Sequence, residues 1–168
     1  MFATTRAAVP ALTAVLLAGA ATAIAPAASA ARLPGCVAAG LHVVRGATQG
    51  ATGHRYVAFR ITNTSDHACR LFGTPTFQLR DAGGSPVGYP SEPSGQPQHV
   101  VGLQPGEHTR VTIGYVVPDV VDPSQCQAAT AATVDIRLAY RPHVYRRAFV
   151  ASVCTTEQYR PVAYPVGF

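Results

Sequence analysis

The sequence predicts an all-β protein: an immunoglobulin-like antiparallel β-sandwich of about seven strands, preceded by a cleavable signal peptide. Segments of strictly alternating polarity recur along the chain, as where Val57, Phe59 and Ile61 alternate with more polar neighbours. Gly, Pro, Asn and Asp residues separate these segments at short intervals, a spacing typical of sandwiches. The four cysteines suit two disulfides in a secreted domain.

Residues 1–30 have the pattern of a secretory signal peptide. One cation, Arg6, precedes an almost wholly apolar stretch from Ala7 to Ala25, and Ala28-Ser29-Ala30 supplies the small residues after which a signal peptidase cuts. The alternative is a membrane anchor, since the stretch approaches spanning length, but prolines bracket it. We therefore expect a mature protein that is secreted, extracellular or in the cell wall, with residues 31–35 as a linker.

A lipid anchor is the other alternative at the N-terminus. Leu33-Pro34-Gly35-Cys36 loosely resembles a lipobox, in which Cys36 would be lipidated. Against this, the apolar stretch ends well upstream of Cys36, and lipidation would leave an odd number of cysteines. No apolar run after the signal peptide is long enough to cross a bilayer.

The charge of the chain is moderately basic and dispersed. The formal net charge is +5, and all 13 basic residues are arginines. Only Arg141, Arg146 and Arg147 cluster, and no basic stripe with interleaved aromatic residues exists, so we expect no nucleic-acid partner. Weak attraction to anionic cell-wall polymers remains open.

The first half of the chain predicts three strands. A strand over Cys36–Arg45 is followed by a turn-rich link, Gly46–Gly53, and by the strand that starts at Tyr56. That strand ends in Asn63-Thr64-Ser65-Asp66, whose side chains bond to their own backbone, and Arg70-Leu71-Phe72 continues it briefly. Asn63-Thr64-Ser65 also matches a glycosylation sequon, which we interpret as the turn that ends the strand.

The middle of the chain predicts a hairpin and a long loop. The third strand, Thr76–Asp81, leads into Asp81-Ala82-Gly83-Gly84, across which Val87–Tyr89 could pair back. Four prolines then make most of Pro90–Gly106 a loop or sheet edge, with only His99–Val101 resembling a strand.

The last part of the chain predicts three more strands, over His108–Val117, Thr133–Tyr140 and Val144–Val153. Pro118–Gln127 reads as a loop. The sandwich domain then covers residues 36–156, and residues 157–168 are expected to form an extended, poorly packed C-terminal tail.

The cysteines can pair in three ways, which the expected strand order ranks. If the first strand runs antiparallel to the Tyr56 strand, Cys36 lies beside Cys69. If the last two strands form a hairpin, Cys126 lies near Cys154. We therefore predict the pairs Cys36–Cys69 and Cys126–Cys154. No two cysteines have a CxxC spacing, so we expect no metal site and no cofactor.

A set of short motifs between Cys36 and Cys154 forms a recognisable pattern. Its features are Cys36 with Leu41, Gly53-His54-Arg55-Tyr56-Val57, Thr62-Asn63-Thr64-Ser65, Cys69-Arg70-Leu71 with Gly73 and Pro75, Asp81-Ala82-Gly83-Gly84, Leu103-Gln104-Pro105-Gly106, Cys126 and Cys154. In these features the chain resembles an actinobacterial secreted family catalogued as domain of unknown function 4232. The resemblance implies an exported, often envelope-associated β-sandwich without an established activity, ligand or catalytic residue. Such domains often carry tryptophan where this chain has Tyr115.

No catalytic residues are predicted. The sequence has no nucleophile elbow, and its eight acids are spread singly apart from Asp119 and Asp122. The candidate recognition surface is the Pro90–Gly106 loop and its flanks, with Tyr89, His99 and His108 as candidate contact residues.

Three functions follow from these observations. The first is a secreted or wall-associated, non-enzymatic and monomeric module that binds a protein or cell-wall polymer through its loops. The second is an extracellular enzyme of an unrecognised type. The third is a lipid-anchored envelope protein of the same fold, carried by Cys36.

Overall fold

Ten strands account for most of the described chain, residues 32–168 of this computed structural model. The predicted signal peptide and the first residue of the predicted linker lie outside the described residues. The strands are β1 Leu41–Ala51, β2 His54–Asn63, β3 Cys69–Phe72, β4 Thr76–Arg80, β5 Glu92–Pro93, β6 Val100–Leu103, β7 His108–Val116, β8 Ala128–Arg137, β9 Val144–Cys154 and β10 Val162–Tyr164.

The larger layer is a five-stranded sheet with the order β1-β2-β7-β10-β5. Its neighbours are antiparallel except β5, which lies parallel to β10. Val57 pairs with Ile113 in this sheet, and both side chains are fully buried. On each strand, the residues that alternate with these buried ones therefore form the opposite, outer face of the sheet.

The second layer is a three-stranded sheet with the order β4-β8-β9, and β3 and β6 form a separate two-stranded sheet. Aromatic pairs join the two main layers: Phe59 lies 6.0 Å from Phe77, and Tyr115 lies 5.5 Å from Phe149, between ring centroids. All but Tyr115 are fully buried, and each such side chain contributes about 1.5–3 kcal/mol by leaving water. The prediction of an all-β sandwich is confirmed.

Two disulfides close opposite parts of this sandwich. Cys36 is bonded to Cys69, and Cys126 to Cys154, the pairs that the strand order predicts. The described residues contain no free cysteine.

The first strand differs from its predicted bounds. It begins at Leu41, after a 3-10 turn over Ala38–Gly40, and continues to Ala51. The predicted link Gly46–Gly53 is wrong, because a bulge between Arg45 and Thr48 lets the chain resume its pairing with β2. A bulge absorbs an extra residue without ending a strand, which composition alone does not reveal.

Shorter elements in the middle of the chain also differ. Cys69–Phe72 does not continue β2, since it forms β3 and pairs with β6 instead. Val87–Tyr89 forms no strand; the return past the hairpin consists of an Arg80–Pro86 bridge and a hydrogen bond from the Val87 amide to the Leu79 carbonyl.

The last predicted strands and the loop before them have shifted bounds. β8 starts at Ala128, before the predicted Thr133, and ends at Arg137. The predicted loop before it contains a 3-10 turn, Pro118–Val120, and one helical turn, α1, over Pro123–Cys126. No helical segment within residues 32–168 has the length and apolar character needed to cross a bilayer.

The expectation of a poorly packed C-terminal tail is wrong. Residues 162–164 form β10, which lies between β7 and β5, and Ala163 and Val166 are buried. The three-residue strand lacks a long alternating pattern, and Pro161 and Pro165 flank it. Those prolines fit here because each stands just outside the paired residues.

Candidate functional site

The structure does not bring the three predicted contact residues together. Tyr89 packs against Arg160, with 5.2 Å between the guanidinium carbon and the ring centroid. Arg160 precedes Val162, which pairs with Gly114 near the end of β7. His108 is the first residue of β7, so it lies toward the other end of the sheet, and His99 is exposed just before β6.

A groove of about 630 Å³ lies at one end of the five-stranded sheet. We call it the end groove. Its floor comes from β2, β7 and β10, and its walls come from the β1–β2 turn, the segment after β7 and the segment before β10. Its volume lies within the range of sites that bind small molecules or segments of polymers. Its walls are Thr52, Gly53, Val120, Val121, Gln158, Tyr159 and Arg160.

The walls are held against each other by close backbone packing. The Val117 amide donates to the Gly53 carbonyl at 3.0 Å. Gly53 has a φ of 73°, and a Cβ atom there would lie 2.8 Å from Val120. Only glycine satisfies both conditions, so this position fixes how closely the two walls approach.

Aromatic rings flank a glycine on the floor of the end groove. Gly114 pairs with Tyr56 on one side and with Val162 on the other, all on the outer face. A Cβ atom on Gly114 would lie 3.0 Å from the Tyr56 ring and 3.4 Å from the Tyr164 ring. The two rings meet edge to face at 6.0 Å. The two rings therefore cover Gly114, which is buried, and they form the apolar surface that a flat ligand would contact.

The polar groups of the end groove keep hydrogen-bonding capacity. Burial raises the pKa of the Tyr164 phenol, and the neighbouring Tyr56 raises it further, so the phenol stays neutral near pH 7. Arg160 reaches Glu157 only at 3.6 Å, and its buried Nε has no hydrogen-bond partner among the described residues.

The end groove continues as a shallow strip along the outer face of the same sheet. One further concavity shares Tyr56 with the end groove, and a second shares Ala58 and Arg110 with the first. We call this continuation the outer strip. From His54 to Arg60 it follows β2 for about 20 Å.

The outer strip is floored by small side chains and ends in cations. Gly46, Ala47, Ala58 and Thr112 leave its centre shallow. Arg60 pairs directly with Arg110 near the start of β7. The same concavity is lined by His108, so one of the three predicted contact residues lies on the outer strip.

Two of the acids, Asp122 and Asp135, have structural partners. Asp122 accepts hydrogen bonds from the amide and hydroxyl of Ser124 and thereby caps α1. Asp135 is held by Arg80 and Arg146 on the three-stranded sheet. The described residues contain no group of three or more His, Cys, Asp or Glu that could hold a metal ion.

Sequence reasoning missed Tyr56, Gly114 and Tyr164 as site residues. Tyr56 and Gly114 stood on the predicted outer faces of two strands, but nothing in the sequence indicates that these strands are neighbours. Tyr164 lay in the predicted tail. The available signal was the exposed aromatic at the start of one strand together with the glycine inside another.

Comparison with known families identifies one match. The family model described as "Domain of unknown function (DUF4232)" matches residues 36–163, which include the walls of the end groove and all of its floor except Tyr164. No curated protein and no solved structure matches the chain.

Proposed function

We propose a function for this chain, which belongs to the DUF4232 family of domains of unknown function: it is an exported, non-enzymatic module that binds an extended polymer along the end groove and outer strip. The observation that carries the proposal is the open, continuous course of this surface. A compact ligand would fill the end groove alone, whereas a chain-like ligand can also follow the strip.

Export is supported by the two disulfides. Disulfides persist in oxidising compartments outside the cytoplasm, and both bonds here join segments far apart in the sequence. The apolar stretch before Ala28-Ser29-Ala30 supplies the export signal in this proposal.

The bond between Cys36 and Cys69 favours a free exported protein over a lipid-anchored one. Lipidation forms a thioether at the cysteine sulfur, and the Cys36 sulfur is bonded to Cys69. We expect the intact mass of the exported protein to fit a chain with both disulfides and no lipid. A mass increase equal to a diacylglyceryl group would contradict this.

A non-enzymatic role is supported by the arrangement of the acids and bases. General acid–base catalysis needs acidic and basic side chains that converge on the substrate. The lining of the end groove contains one acid, Glu92, and two bases, Arg160 and His54. The remaining polar groups of the groove are phenols, amides and hydroxyls, which suit binding.

Co-sedimentation with insoluble bacterial cell-wall fragments tests the proposal. We expect the purified protein to pellet with the fragments. Gly114→Val, which fills the floor, should reduce the bound fraction at least tenfold. The matched control is Gly83→Val in the β4 hairpin, where a Cβ atom meets only Asp81 at 3.4 Å.

A second pair of variants separates loss of binding from loss of folding. Tyr56→Ala removes one of the two aromatic rings on the floor of the end groove. Tyr140→Ala removes a ring that is 77 % exposed and lies outside the groove. Melting curves should show all four variants folded. Binding that is unaffected by both Gly114→Val and Tyr56→Ala would contradict a role for this surface.

A further inference from the structure

Positive charge predominates on the surface formed by the end groove and outer strip. Among the residues that line it, three are arginines and two are histidines, whereas the only acid is Glu92. The exposed acids Asp119 and Asp122, which both precede α1, do not line this surface. The basic residues are Arg60, Arg110, Arg160, His54 and His108.

Arg60 and Arg110 form a like-charge pair across β2 and β7. They are directly opposite in register, and both face outward because Phe59 and Val111 beside them are fully buried. Like charges directly opposite in a sheet destabilise it. Arg110 donates to the main-chain oxygen of Phe168, whereas the Arg60 side chain makes no hydrogen bond or ion pair within residues 32–168.

Arg160 supplies a second cation at the far end of the same surface. Its Nε is buried without a hydrogen-bond partner among the described residues. Tyr89 covers one face of the guanidinium and Glu157 is 3.6 Å away, so the group is positioned but incompletely paired. A guanidinium in this state suits a phosphate or carboxylate oxygen.

The two cationic positions are separated by an uncharged stretch. On β7, the residue nearest the groove walls and Arg160 is Val116. It lies six residues from Arg110, which corresponds to about 20 Å along the strand. Between them lie Thr112, Gly114 and the rings of Tyr56 and Tyr164. An occupant that matches this surface carries anionic groups at intervals and neutral, flat segments between them.

We propose that the polymer is an anionic glycan or polyol chain, whose phosphate or carboxylate groups bind at the Arg60–Arg110 pair and at Arg160. Its neutral segments lie against the rings of Tyr56 and Tyr164, which cover Gly114. This inference rests on the proposed function, because it identifies the chemical class of the polymer that the surface binds. Charge complementarity selects it over a neutral glycan.

The test compares polymers that differ only in charge. Polygalacturonate and its fully methyl-esterified form share one backbone, and poly(glycerol phosphate) tests phosphate in place of carboxylate. We expect at least one anionic polymer to bind the protein tenfold or more tightly than the esterified chain. Affinity should fall steeply as salt rises, since ions screen the contacts.

The outcomes distinguish this inference from the proposed function. Equal binding of charged and esterified polymers that Gly114→Val abolishes would overturn the anionic class while the groove remains the binding site. Failure of both anionic polymers to bind overturns the inference outright. Binding that no groove variant alters would contradict the proposed function itself.

The Arg60–Arg110 pair provides a second readout. Arg60→Gln should weaken binding of the anionic polymer about tenfold and lessen its salt dependence, yet leave the melting temperature equal or higher at low salt. Arg137→Gln, on the outer face of the other sheet, is the matched control and should leave binding unchanged. A clear loss of stability in Arg60→Gln would show a structural role instead and overturn the assignment.

Discussion

Asn63 is a fully buried polar side chain that joins three segments of the sandwich. Its Nδ2 donates to the carbonyls of His67 and Leu103 at 2.9 and 3.0 Å, and its Oδ1 accepts from the amide and hydroxyl of Ser65. All the hydrogen-bonding capacity of the amide is therefore used. The same burial leaves the nitrogen of this sequon inaccessible to a glycosylating enzyme.

We expect Asn63→Ala to lower the free energy of unfolding by about 3 kcal/mol. The substitution removes the side-chain donor to the Leu103 carbonyl, one of the two donors to the His67 carbonyl, and the acceptor for Ser65. Thr64→Ala, at the exposed neighbouring position, should change it by less than about 0.5 kcal/mol. Urea denaturation of both variants measures the difference, and similar values would show that the amide network is dispensable.

Asp135 is a second residue whose environment matters, because its neighbours lower the pKa of its carboxyl group and thereby make stability depend on pH. Hydrogen bonds from Arg146, at 2.7 and 3.1 Å, lower the pKa of its carboxyl against the opposing effect of burial, and Arg80 lowers it further. A pKa lower in the folded than in the unfolded state stabilises the protein above the unfolded value. That stabilisation is lost as the pH falls through the folded pKa.

The contribution of Asp135 to the free energy of unfolding should therefore be visible as a loss of stability at acidic pH. We expect the free energy of unfolding to fall more steeply below about pH 4 in the parent protein than in Asp135→Asn. The variant should be less stable near pH 7 by about 1–3 kcal/mol. Asp119→Asn, at an exposed position, is the control. Parallel pH profiles for the parent and Asp135→Asn would refute this account.

At the scale of elements, alternation was sufficient to predict that the long strands exist, but not where β1 and β8 begin and end. Val57, Phe59 and Ile61 are fully buried and face the core as their period of two requires. The antiparallel pairing of β1 with β2 also follows from sequence, because a short connection joins them. The order of strands that are not joined by a short connection does not follow from sequence. β2 pairs with β7 across residues 64–107, and the sequence pattern does not favour this pairing over others.

The short strand β10 shows why the candidate site could not be found in advance. Three residues are too few for an alternating pattern to be recognised in the sequence. The strand forms because β7 offers a free edge. Its insertion brings Tyr164 to Gly114 and thereby creates the floor of the end groove. The site depends on a pairing that only tertiary structure supplies.

Substitutions in β10 test this element directly. Ala163→Asp buries a carboxylate where the parent side chain is fully buried, and should lower the free energy of unfolding by more than about 3 kcal/mol. Gln158→Asp adds the same charge at an exposed position and should have little effect. Equal, small effects of the two variants in thermal unfolding would restore the interpretation of residues 157–168 as a poorly packed tail.

At the scale of the whole molecule, the two disulfides hold different ends of the sandwich. Cys126 and Cys154 lie at the start of the β8–β9 hairpin, where Ala128 pairs with Cys154. Cys69 is the first residue of β3, and the Cys36 segment lies near the other end of the hairpin, where the Tyr145 hydroxyl donates to the Ala38 carbonyl and Tyr145 pairs with Ile136. The two bonds therefore lie toward opposite ends of β8, which is about 30 Å long.

Only one of the two disulfides borders the proposed binding surface. The Cys126–Cys154 bond joins α1, which follows the wall residues Val120 and Val121, to the end of β9, which precedes the wall residues Gln158, Tyr159 and Arg160. Two hydrogen bonds reinforce the junction, from the Thr155 amide to the Cys126 carbonyl at 3.0 Å and from the Thr156 hydroxyl to the Gln125 carbonyl at 2.7 Å.

Removing each disulfide in turn should therefore separate stability from binding. The bonds close loops with sequence separations of 33 and 28 residues, so Cys36→Ala/Cys69→Ala and Cys126→Ala/Cys154→Ala should each lower the free energy of unfolding by about 3.5 kcal/mol. At a temperature where both variants remain folded, only the second should bind cell-wall fragments more weakly, because only its bond fixes the spacing of the groove walls. Equal losses of binding in the two variants would mean that the surface depends on the stability of the whole sandwich and not on this local clamp.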